Sequence, residues 1–428
     1  MKKKVLLKAP ILTQSGYGEH SRFIFRVLKQ QEELFDIYVE PLEWGKTGWI
    51  WEDSEERIQI DHCIGKFYQL VQQKAQNTFD ICVNVDLPTA WKRVAPVMIG
   101  VTAGIEADAV SPAWLGPSFS EVDKILVPSF FSKQGFLNSI DKYKNLFDQS
   151  SKNNLSRLRN QLEDKISVVS YPVKDYKIVD LNLSFETNFN FLLVAQWGPR
   201  KNIVKTVSQF YSQFKNNPDV GLVIKTNLTR NSKPDSVFVV NKLKKIKEDF
   251  KDSKCKVYLL HGELTNDEIH SLYNHPKIKA MINFGHGEGF GLPLFEAAYC
   301  GLPIISHDFG GQKDFLYAPK NDKKRPHFSK IHYKMGKISQ DSVWSGVLEE
   351  DAEWAFPDMP SCGLAMAEAL KKPEVLKSEA KRLQAWVRET FEERKVMKQA
   401  LKSCFENFLT FEETTDEDLD KWIEDFSK

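Results

Sequence analysis

Short apolar runs alternate with amphipathic or polar stretches along this chain, in two successive series. The first comprises Val5–Ala9, Asp36–Glu40, Asp80–Val85, Val97–Thr102, Lys124–Pro128 and Ile166–Tyr171. The second comprises Phe189–Gln196, Val220–Thr226, Lys256–His261, Ala280–Phe284 and Pro303–Ser306. Parallel strands need a crossover between them, which a helix supplies, so this alternation predicts two α/β units built on parallel sheets. Lys174–Asn188 is polar with scattered apolar residues and reads as the linker, which places one domain at 1–173 and a second from 189. Asp141–Asp164, dense in Lys, Asn, Ser and Asp, reads as a solvated insertion, and Lys320–Lys330 as a basic loop. Residues 364–408 have helical spacing with Pro373 as the one internal breaker, and the acidic stretch Glu412–Asp425 predicts a short exposed helix.

Composition narrows the class without naming the chemistry. The 428 residues suffice for two or three domains. A hydrophobic content of 42% and a charged content of 27% are those of a soluble globular protein. The formal net charge of +1 demands neither nucleic acid nor an anionic membrane, local patches apart. After the basic Lys2-Lys3-Lys4, only three apolar residues precede Lys8, too few for a signal-peptide core. No run approaches the ~20 apolar residues of a membrane span, so no stable membrane insertion is expected. The six cysteines are scattered without metal-ligand spacing, which predicts free thiols and a cytoplasmic protein.

The densest chemistry lies at Phe284-Gly-His-Gly-Glu-Gly-Phe-Gly-Leu-Pro-Leu-Phe-Glu296. An apolar strand feeds a glycine-rich turn, and Pro293 stands where a helix would begin. Such a turn offers backbone amides at a helix N-terminus, a ready site for phosphate. Glu288 and Glu296 bracket it with seven residues between them. Phosphate plus hydroxyls describes a nucleotide sugar. Arg200-Lys201, after the first strand of the second series, supplies cations suited to a diphosphate, Lys as a compact point charge. Lys225 is a further candidate for the same anion. Ser15-Gly16-Tyr17-Gly18 follows the first strand but lacks the third glycine, and no acid ends the second strand at the usual spacing of a dinucleotide site, which weakens an oxidoreductase reading. Taken by themselves, Glu106 and Asp108 read as acids at a helix start. Trp44, Trp49 and Trp51 read as core or lid packing, with sugar stacking as the other use, and His286 as a turn residue. The one DxD-like string lies in the acidic tail, so no metal site is expected.

The Glu288–Glu296 segment resembles the EX7E signature of retaining glycosyltransferases of GT-B fold, family 4, and the flanking elements fit in order along essentially the whole chain. The resemblance implies two Rossmann-like domains facing each other across a cleft. The first would bind the acceptor, the second (189–385) the donor, and 386–428 would cross back to the first. It implies that Glu288 contacts the donor sugar and Glu296 the ribose, with amides of Gly289, Phe290, Gly291 and Leu292 on sugar and phosphate. It places Arg200 and Lys201 on the diphosphate, Gly16 and Gly18 facing it across the cleft, and Glu263-Leu264 against the nucleobase. Where many relatives carry an arginine, this chain has Gln196-Trp197, leaving Arg200 or Lys225 to supply the charge. No cofactor or metal is implied beyond the nucleotide-diphosphate sugar itself, whether the sugar is a hexose or a pentose. Leu6–Arg22 with Pro41–Asp53 also resembles glycosyltransferases of tailed phages of marine bacteria, which would put the enzyme in a host cytoplasm. Glu106 and Asp108 fall where relatives line the cleft, so the resemblance offers them the orienting of an acceptor hydroxyl as their other use; the acceptor implied is a glycan, a protein or a modified DNA base. A glycoside hydrolase or phosphorylase, and a non-catalytic binding protein on the same fold, are the alternatives.

Overall fold

The computed structural model describes residues 2–405 except 75–77, 148–151, 153, 230 and 322. The first half holds β1 (Lys3–Ala9), β2 (Phe35–Pro41), β3 (Ile81–Val85), β4 (Val97–Val101), β5 (Lys124–Val127) and β6 (Ile166–Val168), all parallel in the order β2-β1-β3-β4-β5-β6. Ile81–Val85 is buried at every position, as a strand covered by helices on both faces must be. The second half holds β7 (Phe189–Gln196), β8 (Val220–Asn227), β9 (Lys256–His261), β10 (Ile278–Asn283) and β11 (Ile304–Ser306). A hairpin of β12 (Tyr317–Lys320) and β13 (Lys323–Pro326) follows, then β14 (Ser329–Lys330), which completes a six-stranded sheet ordered β14-β11-β10-β7-β8-β9. β15 (Tyr333–Lys337) and β16 (Glu353–Pro357) pair antiparallel outside both sheets.

Each sheet winds outward from one strand, then returns to that strand's other side. The first reverses between β1 and β3, the second between β7 and β10. Ligands of open α/β sheets bind beyond the carboxyl ends of the strands at such reversals. In the second sheet the loops there are Gly198–Lys201 and Gly285–Gly291.

The helix Glu393–Phe405 returns to the first half. Glu393 pairs with Arg26 at 2.9 Å, Phe405 packs on Phe35 with ring centroids 5.1 Å apart, and Gln399 Nε2 donates to the Val168 carbonyl at 2.8 Å. The acidic stretch Glu412–Asp425 lies outside the described residues.

Two readings are corrected. Lys320–Lys330 is not a loop but the hairpin β12–β13 and β14, turned by Asn321 at φ 51°. Within Asp141–Asp164 the segment Leu155–Lys165 is a helix, with Leu162 buried and Leu155 and Leu158 packed beside it. That apolar series at helical spacing is masked in the sequence by the polar residues around it. β6 also ends three residues earlier than the apolar run.

Gly65 lies in the interior of the helix Glu55–Gln72, exposed, with open space where a Cβ would stand. Gly65→Ala is therefore expected to stabilise the protein by about 0.5–1 kcal/mol, read as a higher urea midpoint with an unchanged slope.

Candidate active site

The loops after β7 and β10 are tied to each other before either meets a ligand. Asn202, left-handed at φ 52°, donates from Nδ2 to the Phe284 carbonyl at 2.9 Å, and His286 N–H donates to the Arg200 carbonyl at 2.8 Å. This brings Lys201 Nζ to 2.5 Å and Arg200 Nη1 to 3.4 Å from the Glu288 carboxylate, where Asn283 Nδ2 also donates at 3.1 Å. Arg200 Nη1 donates to the Gly287 carbonyl at 2.8 Å, and Nη2 reaches across to Glu106 of the first half at 3.1 Å. Glu288 is only 7% exposed. Burial pushes its carboxyl up, but Lys201 and Arg200 outweigh that and hold it down to about 2. Lys201 is lowered by burial and by Arg200, against the opposing pull of Glu288. Two cations and two carboxylates thus cancel, and a charge arriving between them changes the balance.

The turn between them is shaped by close backbone approach. A Cβ on Gly287 would lie 2.0 Å from the Glu106 carbonyl oxygen, and one on Gly289 would lie 2.6 Å from that of Ala103. From the first half, Ser129 and Ser132 hydroxyls donate to the Gly289 carbonyl at 2.5 and 3.2 Å. Gly291, at φ 94°, is the N-cap of the helix Leu292–Cys300 and brings no side chain to it. The N–H groups of that first turn have no intrahelical acceptor and suit an anion. The Phe290 ring packs on Tyr171, Phe295 and Phe315, so Phe290 offers a ligand its backbone alone.

A second group lies along the same cleft. Glu296 accepts from the Tyr273 hydroxyl at 2.8 Å, and its carboxyl is raised by burial against the opposing charge of Lys174. Lys225 Nζ donates to the Gly262 carbonyl at 2.7 Å and is lowered by burial, against the pull of Glu263 and Glu296. Glu263 accepts from Asn231 Nδ2 at 2.6 Å, beside Gly48 of the first half, and Leu264 next to it is half-buried. Thr265 caps the following helix with Glu268 in a reciprocal capping box. Across the cleft, a Cβ on Gly16 would meet Leu292 Cδ1 at 3.8 Å, while one on Gly18 would strike the Thr13 carbonyl at 1.9 Å.

Three other candidates, Asp108, Trp44 and His286, have structural partners. Asp108 accepts from Lys142 Nζ at 3.0 Å and from Glu353 N–H at 2.7 Å. Trp44 stacks on Tyr17 at 3.8 Å, while Trp49 and Trp51 stay 49% and 75% exposed, against the packing expected of them. His286 is buried against Trp354. Among the described residues, no cluster of three or more His, Cys, Asp or Glu is placed to hold a metal ion.

Sequence reading missed five contributing residues. Asn283 sits on the strand that feeds the turn. Ser129 and Ser132 act from a segment about 160 positions away. Gly310-Gly311 backs the turn: Gly311 N–H donates to the Glu288 carbonyl at 2.8 Å, and a Cβ there would lie 2.1 Å from the Gly289 carbonyl. Adjacent glycines after a strand end were the signal for the last two.

Comparison with solved structures gives the architecture a name. Anabaena HepE in complex with UDP and glucose superposes with a TM-score of 0.56 at 10% identity, over 94% of this chain and 99% of that one. The catalytic domain of Starch Synthase IV from Arabidopsis thaliana, bound to ADP and acarbose, gives 0.56 at 12%, over 94% and 98%. The fold is GT-B. At these identities the likeness extends to the GT-B fold alone. An S. aureus TarM variant in complex with Fondaparinux, alpha-GlcNAc-glycerol and UDP gives 0.50 at 14%, over 79% of this chain. The chain spans 58% of the length of that protein. Residues 178–321 match the family described as Glycosyl transferases group 1. That stretch contains Arg200, Lys201, Glu288 and Glu296 of the second GT-B half, and the match supports sugar transfer. No curated protein matches the chain in sequence.

Proposed function

We propose that this GT-B protein is a retaining, metal-independent glycosyltransferase of family 4 that moves a sugar from a nucleotide-diphosphate sugar to an acceptor hydroxyl. The observation that carries the reading is the convergence of Arg200, Lys201 and Glu288 beside an uncapped helix N-terminus, at the reversal point of the second sheet. The diphosphate takes the amides near Gly291 and the Lys201 and Arg200 charges, which meet the negative charge that grows as the glycosidic bond breaks. Glu288 holds the sugar hydroxyls, and Glu296 the ribose. The acceptor oxygen attacks from the face the diphosphate leaves, near Glu106. Basic groups and a helix terminus do the work a divalent ion would otherwise do. The six cysteines are free and buried, which supports a cytoplasmic location. The acceptor is a hydroxyl on a glycan, a protein or a modified DNA base.

The test is a thermal-shift screen with UDP, GDP and ADP and their sugars, since binding raises the melting temperature by mass action. UDP- and ADP-sugars lead it, because HepE is bound to UDP and glucose and Starch Synthase IV to ADP. Acceptor-dependent nucleotide release that survives EDTA, with retained anomeric configuration by NMR, is the expected outcome. Cleavage of a simple glycoside without nucleotide would sink the reading in favour of hydrolysis.

Glu296 gives that binding a pH signature. Its folded carboxyl is raised, so it takes a proton at higher pH than an ordinary glutamate. The folded state binds more protons there than the unfolded one, and this group's contribution to stability falls as pH rises. Ribose hydroxyls donate best to the ionised form. Nucleoside-diphosphate affinity should therefore weaken on mild acidification in the native chain, and Glu296→Gln should flatten that part of the profile. Titration calorimetry on both proteins checks it, the phosphate's own titration cancelling between them.

A further inference from the structure

Residues 338–352, between β15 and β16, leave the second half and pack on the first. Ile338, Leu348, Ala352 and Trp354 are buried in one apolar cluster with Val110, Trp114 and Phe136. Around that cluster Ser111 Oγ donates to Glu349 at 2.5 Å, Trp114 Nε1 to the Gly346 carbonyl at 2.7 Å, and Tyr143 OH to Asp351 at 3.0 Å. β16 is then bound on both sides. Asp108 N–H donates to the Glu353 carbonyl at 2.9 Å, and Glu353 N–H donates to the Asp108 carboxylate. Two residues on, Ala355 N–H donates to the His286 carbonyl at 3.0 Å, and His286 Nδ1 lies 2.8 Å from the Ala355 carbonyl. Between them Trp354 stacks on His286, centroids 4.7 Å apart and planes 14° from parallel. His286 directly precedes Gly287-Glu288, and its N–H is bonded to Arg200.

We propose that this strap is a positioning device, with Trp354 acting through His286 to fix the Arg200–Glu288 cluster relative to the Glu106 loop. It rests on the sugar-transfer reading. In transfer, the acceptor oxygen bonds the anomeric carbon, the bonding pair leaves on the diphosphate oxygen, and the hydroxyl proton passes to that oxygen or to solvent. Water can supply the same oxygen and proton, and the product is then free sugar. A fixed spacing between the halves favours an acceptor held in line over water, because a displacement of about 1 Å costs on the order of 10²-fold in rate.

The test uses the full chain, Trp354→Ala and Trp354→Phe, with UDP-glucose as donor and glucose as acceptor probe. Trp354→Ala is expected to lower transfer by about 10²-fold, raise the ratio of hydrolysed to transferred sugar, and increase amide hydrogen exchange across 285–291. Trp354→Phe should largely reverse these effects, since a phenyl ring keeps an aromatic face on His286, and the indole N–H given up with the smaller ring has no acceptor among the described residues. Equal loss of transfer and hydrolysis, or unchanged exchange in the turn, overturns the proposal. If Trp354→Ala does not fold, His286→Ala carries the same expectations without opening the first-half core. Increased exchange in a protein that binds no sugar nucleotide would leave the strap in place and refute sugar transfer, so the two failures are told apart.

Discussion

Lys201→Ala is expected to lower sugar transfer by about 10²–10³-fold at saturating donor. The Lys201 ammonium lies 2.5 Å from the Glu288 carboxylate at the strand-end reversal, with the side chain 14% exposed. There a positive charge is worth most to a leaving diphosphate, because little water is present to screen it. Lys201→Arg should fail to rescue, since a planar fork cannot occupy the site of a compact point charge. Stability falls too, because a buried carboxylate loses its nearest partner, an event that costs about 3–5 kcal/mol where nothing else compensates. Arg200 remains, which puts the expected cost at the low end. The pH sign follows from the depressed Glu288 carboxyl, at about 2. Its contribution is present above the ordinary glutamate range and is lost as pH falls toward that value. Without Lys201 the loss should begin at higher pH, seen as an acid-unfolding midpoint shifted upward. Turnover is measured well below the melting temperature, and wild-type turnover in Lys201→Ala would remove the lysine from the leaving-group side.

Gly287→Ala should cost as much for a different reason. The new methyl would stand 2.0 Å from the Glu106 carbonyl oxygen, a backbone atom of the opposite half with no rotamer to yield. Relief requires the turn and the Glu106 loop to part by about 1 Å, the scale of misplacement that costs on the order of 10²-fold in rate. The Arg200–Glu106 pair stretches with it. Nucleotide affinity should change far less, because Glu296 and the first turn of its helix stay with the second half. A large rise in Kd with turnover preserved would contradict the steric account. Gly65→Ala, in open space on a remote helix, is the matched control and should leave turnover unchanged.

The strand ends, and hence the loops that matter, were legible because each parallel strand of the two series carries a short apolar run and its loop follows by rule. The Glu288–Glu296 segment and Arg200-Lys201 were legible because glycines, acids and cations stood at those loops. What stayed hidden depends on contacts between distant segments. Arg200 meets Glu106, and Ser129 meets Gly289, through folding alone, and no spacing within the chain announces either. The strap was hidden likewise: Trp354 looks like any strand tryptophan until it enters the core of the other half. In the stretch around Leu155, Leu158 and Leu162, three leucines among charged neighbours were too sparse to outvote composition. Trp49 and Trp51 erred oppositely, since an aromatic residue in sequence carries no mark of whether it will be covered.

The return of the helix Glu393–Phe405 to Arg26 and Phe35 makes the amino-terminal half discontinuous along the chain. Cutting at the linker therefore does not yield two self-sufficient pieces. A fragment ending there would bare the surface that Val396, Met397, Ala400 and Phe405 cover. A carboxyl fragment would carry those residues with nothing to pack against. Anyone wishing to study one half by itself must graft that helix onto the amino-terminal piece, which turns a matter of truncation into one of chain rewiring.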